Sequence, residues 1–256
     1  MPGFPRFLLP VSVLLGTLLP RLAAAQQPAD RRGTLPVENV WLLYSTEARV
    51  VGKWGLHADA QIRRARSLTT LRQNQVRVGV SYYAAPQAIF TAGYSYVDLY
   101  SADDAPAAIH APENRLYEQL LLKDLEGLVR VDHRYRLEQR RLVRPGETRA
   151  VHLNRFRYQL HLTLPLHGPK VEPGTPYLSL ADEVLLNFGR HVIGGVFDQN
   201  RASVALGYQL TKATALEAGY LNLWVPAGGP AGQRHIAQLS VAFNPDLRPV
   251  AGVSAP

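Results

Sequence analysis

Leu128-Val129-Arg130-Val131-Asp132-His133-Arg134-Tyr135-Arg136-Leu137-Glu138-Gln139-Arg140 separates into two interleaved sets. Val129, Val131, His133, Tyr135, Leu137 and Gln139 fall on one side; Arg130, Asp132, Arg134, Arg136, Glu138 and Arg140 fall on the other. Period 2 is the signature of a β-strand, here with one mostly apolar face and one fully charged face. The next apolar run repeats the design: Phe156, Tyr158, Leu160, Leu162 and Leu164 alternate with Arg155, Arg157, Gln159, His161 and Thr163. Leu142 to Leu153, a polar connection containing Pro145-Gly146, joins the two into a long hairpin.

The same unit recurs on both sides of this hairpin. Trp41 to Val50 alternates, a Gly52-Lys53 turn follows, and Trp54, Leu56, Ala58, Ala60 and Ile62 then oppose His57, Asp59, Gln61 and Arg63. Val76, Val78, Val80 and Tyr82 share a face, as do Phe90, Ala92, Tyr94 and Tyr96 beyond Ala84-Ala85-Pro86. Tyr100 to Asn114 reads as a surface loop. Arg115 to Lys123 has weak phase because Leu120-Leu121-Leu122 interrupts it, and an amphipathic helix is the rival there. Downstream, Tyr177 to Asn187, Arg201 to Leu210, Leu216 to Trp224 and His235 to Phe243 complete the series, with Pro165 to Pro176 and Phe188 to Gln199 as connections. These candidates number eleven. Single-chain bacterial membrane barrels have even counts, with short turns at one rim and long loops at the other, so ten or twelve strands are expected.

The ends of the chain point to export. Arg6 precedes the apolar run Phe7 to Leu19, and Leu22-Ala23-Ala24-Ala25 offers a small-residue cleavage site, so residues 1–25 read as a Sec-type signal peptide. Residues 26–39 then read as a flexible leader, 40–244 as one β domain and 245–256 as a flexible tail. There is no cysteine, which excludes a disulfide framework, a thiolate metal site and a lipidated N-terminal cysteine. The formal charge is +8, and removal of Arg6 and Arg21 with the peptide leaves +6. Basic and acidic residues are interspersed at strand spacing rather than gathered in a patch, which argues against a nucleic-acid partner.

Alternation alone does not say which face is inside. In a soluble barrel or sandwich the apolar face is the core; in a membrane barrel it faces lipid. Three features favour lipid. Trp54, Tyr82, Tyr94, Tyr96, Tyr177, Tyr208, Trp224 and Phe243 fall near strand ends, where they would form interfacial girdles. Acids and bases share one face, which suits a lumen crossed by ion pairs. The strands, at roughly 9–11 residues, fit a tilted bilayer span. The expected fold is therefore an all-β, antiparallel, up-and-down transmembrane barrel in a cell outer membrane, in contact with lipid and inserted by barrel assembly machinery. Trp41 shares the phase of Glu47 and Arg49, which requires a bulge if it is to face out.

Lys53-Trp54, Gly93-Tyr94, Glu113-Asn114-Arg115 with Gln119, Arg136 to Arg140, Arg155 to Tyr158, Phe197 to Arg201 and Glu217-Ala218-Gly219-Tyr220 occur in an order and spacing that resembles an uncharacterised bacterial family, domain of unknown function 2490. The resemblance runs from about Trp41 to Phe243. It implies an outer-membrane β-barrel and brings no catalytic residues.

Arg130, Arg134, Arg136, Arg155, Arg157 and Arg201, with Asp132, Glu138, Glu183 and Glu217, are the expected lumen charges. They either fill a narrow barrel as paired ions or line a pore that prefers small anions. A structural or interaction role, with any activity in the long loops, is favoured over the pore, and both over an enzyme. Hydrolysis of lipid would need serine, histidine and an acid on adjoining strands near a rim. His152, His161, Ser179 and Asp182 are the nearest candidates, but their phases disagree. The histidines show no metal-ligand spacing, and no cofactor is expected.

Overall fold

The computed structural model describes residues 39–65, 68, 70–100, 110–143, 149–192, 195–226 and 232–249. The expected signal peptide, the leader apart from Asn39, and the chain beyond Pro249 lie outside the described residues. Among the described residues eleven strands follow one another: β1 (Asn39–Val51), β2 (Trp54–Ala65), β3 (Thr70–Ala85), β4 (Ala88–Tyr100), β5 (His110–Glu126), β6 (Val129–Val143), β7 (Ala150–Pro165), β8 (Pro176–Phe188), β9 (Phe197–Gln209), β10 (Thr214–Val225) and β11 (Gly232–Phe243). Each pairs antiparallel with the next, and the sheet closes on itself.

The closing pair is parallel. β1 and β11 run side by side from Asn39 opposite Ile236 to Ser45 opposite Ala242. The expected even count is thus corrected to eleven, and every one of the eleven alternating segments is a strand. Each hairpin reverses direction, so an odd number leaves the first and last strands pointing the same way; a parallel ladder satisfies their edges too. The seam extends beyond β11: the Arg49 amide donates to the Pro245 carbonyl (3.0 Å) and the Leu247 amide to the Arg49 carbonyl (2.7 Å). Just outside, Arg248 hydrogen-bonds Asp246 (2.8 Å) and holds its carboxyl down at about 2.

Two-residue turns at Gly52-Lys53, Pro86-Gln87 and Gly127-Leu128 mark one rim, shared by connections 166–175 and 210–213. Gly52 and Gly127 have φ of 51° and 64°, the left-handed region a tight hairpin requires. We call this the turn rim. At the opposite, loop rim the connections are shorter than expected, because β5 begins at His110 and takes up Glu113 and Asn114, while β6 extends through Val143. The segment of weak phase is strand, not helix. Glu113, Arg115, Tyr117 and Gln119 are buried in strict alternation, which assigns Leu121 to the inner face between Leu120 and Leu122.

Outside and inside are chemically inverted relative to a water-soluble domain. Val76, Val78 and Val80 on β3 are each more than half exposed on the outer wall, while Gln75, Arg77 and Ser81 between them are buried. Seven of the eight expected girdle aromatics project outward. Trp54 packs on Tyr82 (5.0 Å between centroids) near the turn rim, and Trp224 on Phe197 (5.1 Å) near the loop rim. Tyr177 is the exception. It is 4% exposed and faces the lumen, where its hydroxyl donates to Glu217 (3.0 Å). It shares the phase of Ser179 and Glu183, and its ring lies against Gly207 on β9, where a Cβ would come within 2.2 Å of it. Tyr117 lies in the same way across Gly79 and Gly93, which face each other on β3 and β4.

Candidate functional site: the charged lumen

Period 2 puts every second side chain of each strand into the lumen, and ten charged residues among those described are buried there: Asp59, Arg77, Glu113, Arg115, Arg136, Glu138, Arg140, Arg155, Arg157 and Glu183. Adjacent strands bring opposite charges together. Glu113 on β5 accepts from Arg115 (2.8 and 3.0 Å) and from Arg140 on β6. Glu138 accepts from Arg157 (2.8 Å) and lies 3.7 Å from Arg115 and 4.0 Å from Arg155. Glu183 on β8 receives Arg157 in a two-oxygen contact (2.7 and 2.9 Å), Arg134 (2.8 Å) and Arg201 (3.2 Å). Arg155 completes the chain to Asp198 (3.0 Å). The result is one network through β5 to β9. Charge-assisted and bidentate geometry is what makes such burial tolerable.

The network continues across the seam through Trp41. Arg201 sits 5.4 Å from its ring centroid and Arg63 on β2 sits 3.8 Å from it. Trp41 therefore faces the lumen, and no bulge intervenes before Arg49; its phase, which would have needed one, is correct as read. Beside it, Leu221, Leu223 and Ile236 form an apolar patch on the inner face of β10 and β11. A cation–π stack explains how an indole fits among arginines.

A second cluster occupies β1 to β3. His57 contacts Glu47 (3.0 Å) and Asp59 (3.2 Å), and Asp59 pairs with Arg77 (2.5 Å). Arg136 reaches Gln119 (2.9 Å) and lies over Tyr117 (5.1 Å). Among the described residues, Arg136 and Arg63 have no carboxylate partner; Arg63 bonds only Gln61 and Gln73.

A third cluster sits under the turn rim. Arg130, half exposed, lies 3.4 Å from Asp132 and donates to Thr163 (3.1 Å). His161 Nε2 is 2.9 Å from Ser179 Oγ, and its Nδ1 is 3.8 Å from Asp132. Glu217 is apart from the arginines, bound by Tyr177 and Ser240 (3.3 Å). Of the hydrolytic candidates, His161 and Ser179 are brought together. Asp182 is on the outer wall with Asn200 (3.1 Å), and His152 lies opposite Arg141 on the outward phase of β6 and β7. The acid beside His161 is Asp132, its direct cross-strand neighbour.

The expected lumen charges all point inward. Missing from that expectation are Glu47, Asp59, Arg63, Arg77, Glu113, Arg115, Arg140 and Asp198. All but Asp198 and Glu113, which falls in the stretch read as a surface loop, follow from parity on their strands. Asp198 reaches the lumen through a bulge opposite Leu185–Leu186, which sequence spacing does not reveal.

Fold and lumen together define a closed antiparallel β-barrel with one parallel seam and an ion-paired interior. The chain belongs to the family described as protein of unknown function (DUF2490), which it matches over residues 38–234. The match stops at the start of β11, short of the expected Phe243. No curated protein and no solved structure matches the chain.

Proposed function

We propose that this protein is an outer-membrane β-barrel with a structural or interaction role, exported by a cleaved signal peptide and bounded by lipid. The observation that carries the reading is the inversion of the wall: Val76, Val78, Val80, Leu116, Leu206 and Leu239 are 50% or more exposed outside, while ten charged residues among those described are buried within. In water such a belt would expose apolar area far beyond the few hundred Å² typical of soluble monomers; in a bilayer it needs no partner. Insertion machinery and membrane lipid are then the partners every such barrel requires, and other activity resides at the rims. Fractionation of cells expressing the full chain tests this. The protein should pellet with outer membranes, resist carbonate and migrate differently on a gel before and after boiling. Recovery as a monodisperse protein in detergent-free buffer would contradict it.

A second reading is a small anion-preferring pore. It is favoured by the excess of buried arginines over buried acids among the described residues, six to four, and by Arg63 and Arg136, which have no carboxylate partner among them. The continuous ion-pair network and the Trp41 stack weigh against an open path. Refolded protein in a planar bilayer separates the two: a silent membrane agrees with the closed lumen, and discrete anion-selective steps agree with the pore.

A further inference from the structure

We infer that Ser179, His161 and Asp132 form a hydrolytic triad at the turn-rim mouth of the lumen, acting on small acyl esters that carry a negative charge. The three residues sit on adjacent strands β8, β7 and β6. Asp132 is directly opposite His161, and Thr163, two residues on from His161, is directly opposite Ser179. Ser179 Oγ is 2.9 Å from His161 Nε2, and Asp132 Oδ2 is 3.8 Å from His161 Nδ1. A carboxylate on the Nδ1 side favours the tautomer with its proton there, which leaves Nε2 as the acceptor and makes the serine hydroxyl the donor. The second contact is longer than a hydrogen bond, as is usual before substrate closes such sites.

Other lumen hydroxyls are employed differently. Ser81 pairs with Thr91 (3.0 Å) and Ser95 with Gln75 (3.1 Å); His57, the histidine diagonal to Ser81, gives both ring nitrogens to Glu47 and Asp59. Exposure also grades outward here: Ser179 is buried, the His161 side chain is 26% exposed and the Arg130 side chain 49%. A substrate entering from the turn rim meets Arg130 first. The ladder hydrogen bonds of β7 and β8 occupy the backbone amides around Ser179, so Arg130 is the cation available to a developing oxyanion; its guanidinium already reaches Thr163, opposite the serine. Thr163, opposite Ser179, and the hydrogen-bonded pair Tyr177 and Glu217 give the site polar surroundings, which suit a short acyl group better than a long apolar chain.

The reaction balances without a cofactor. Ser179 Oγ adds to the ester carbonyl as His161 Nε2 takes its proton. The tetrahedral oxyanion collapses, the alcohol leaves with the proton from His161, and the acyl group remains on Ser179. Water, deprotonated by His161, then releases the carboxylic acid and restores the serine. Asp132 is the positioning residue.

The test is phosphonylation of the refolded full chain by a fluorophosphonate probe, in which Ser179 displaces fluoride, on protein whose gel shift shows that it is folded. Labelling at the Ser179 peptide is expected. It should vanish in Ser179→Ala, slow by about 100-fold or more in His161→Gln, slow measurably in Asp132→Asn, and stay unchanged in Ser81→Ala. Mono-p-nitrophenyl succinate should be cleaved faster than p-nitrophenyl acetate, and Arg130→Gln should remove the difference. Folded wild-type protein that takes no label, or label that persists in Ser179→Ala or is indifferent to both His161→Gln and Asp132→Asn, would overturn the assignment.

Discussion

Removing the Glu183 carboxylate leaves Arg134 and Arg201 without an acid, because Glu183 is the one carboxylate each contacts among the described residues. Removing Glu138 has a milder consequence. Arg157 keeps Glu183, Arg115 keeps Glu113 and Arg155 keeps Asp198. Stranding a buried charge costs about 3–5 kcal/mol, whereas losing one shared contact costs about 1–3 kcal/mol. Both Glu183→Ala and Glu138→Ala should therefore lower the unfolding midpoint of the barrel in detergent, with Glu183→Ala lower of the two; the reverse order would break the assignment of partners. Gly207 offers a second residue-level check. The three atoms nearest a Cβ at Gly207 all belong to the Tyr177 side chain, at 2.2 to 2.7 Å. Gly207→Ala should destabilise by about 1–3 kcal/mol through overpacking, and the loss should largely disappear in a Tyr177→Ala background. Equal losses in both backgrounds would place the ring elsewhere. Tyr177 also shows where residue-type reasoning misleads: an aromatic near a strand end suits a girdle, yet its parity with Ser179 and Glu183 already directs it inward.

At the scale of elements, alternation marks every strand but β5 without a rival. β6 and β7 were legible because their two faces differ so sharply, arginine and acid against valine, leucine and tyrosine. β5 was ambiguous only because Leu121 is an apolar inward residue between two outward leucines, opposite buried Ile89 on β4. The count and the closure were not legible, since no residue in β1 or β11 announces that its partner runs parallel. The seam can be tested in a chain that has no native cysteine. Leu42 and Leu239 are Cα partners across it and lie on the outward phase. Leu42→Cys with Leu239→Cys should form a disulfide under mild oxidation and raise the midpoint for unfolding. Leu42→Cys with Val241→Cys, one step out of register on the same face, should form it poorly. Efficient pairing of the second set alone would mean a different closure.

For the whole molecule, the ion-paired lumen and the turn-rim trio are consequences of the same parity, but they were not equally visible. The arginine and acid rows could be read strand by strand. The Ser179–His161–Asp132 contact could not, because it depends on how β6, β7 and β8 are offset, and sequence phase within one strand does not contain that offset. The Trp41 stack likewise joins β1, β2 and β9 through space. The claim on which these readings depend is that the charged faces point into the barrel and the apolar faces point into lipid. It is tested most directly on β3 by single cysteines carrying a fluorophore in protein reconstituted into vesicles containing brominated lipid. At Val76, Val78 and Val80 the bromines should quench the label, and at Gln75 and Ser81 they should not. Quenching that ignores this alternation, or labels at the three valines that respond only to an aqueous quencher, would contradict the account.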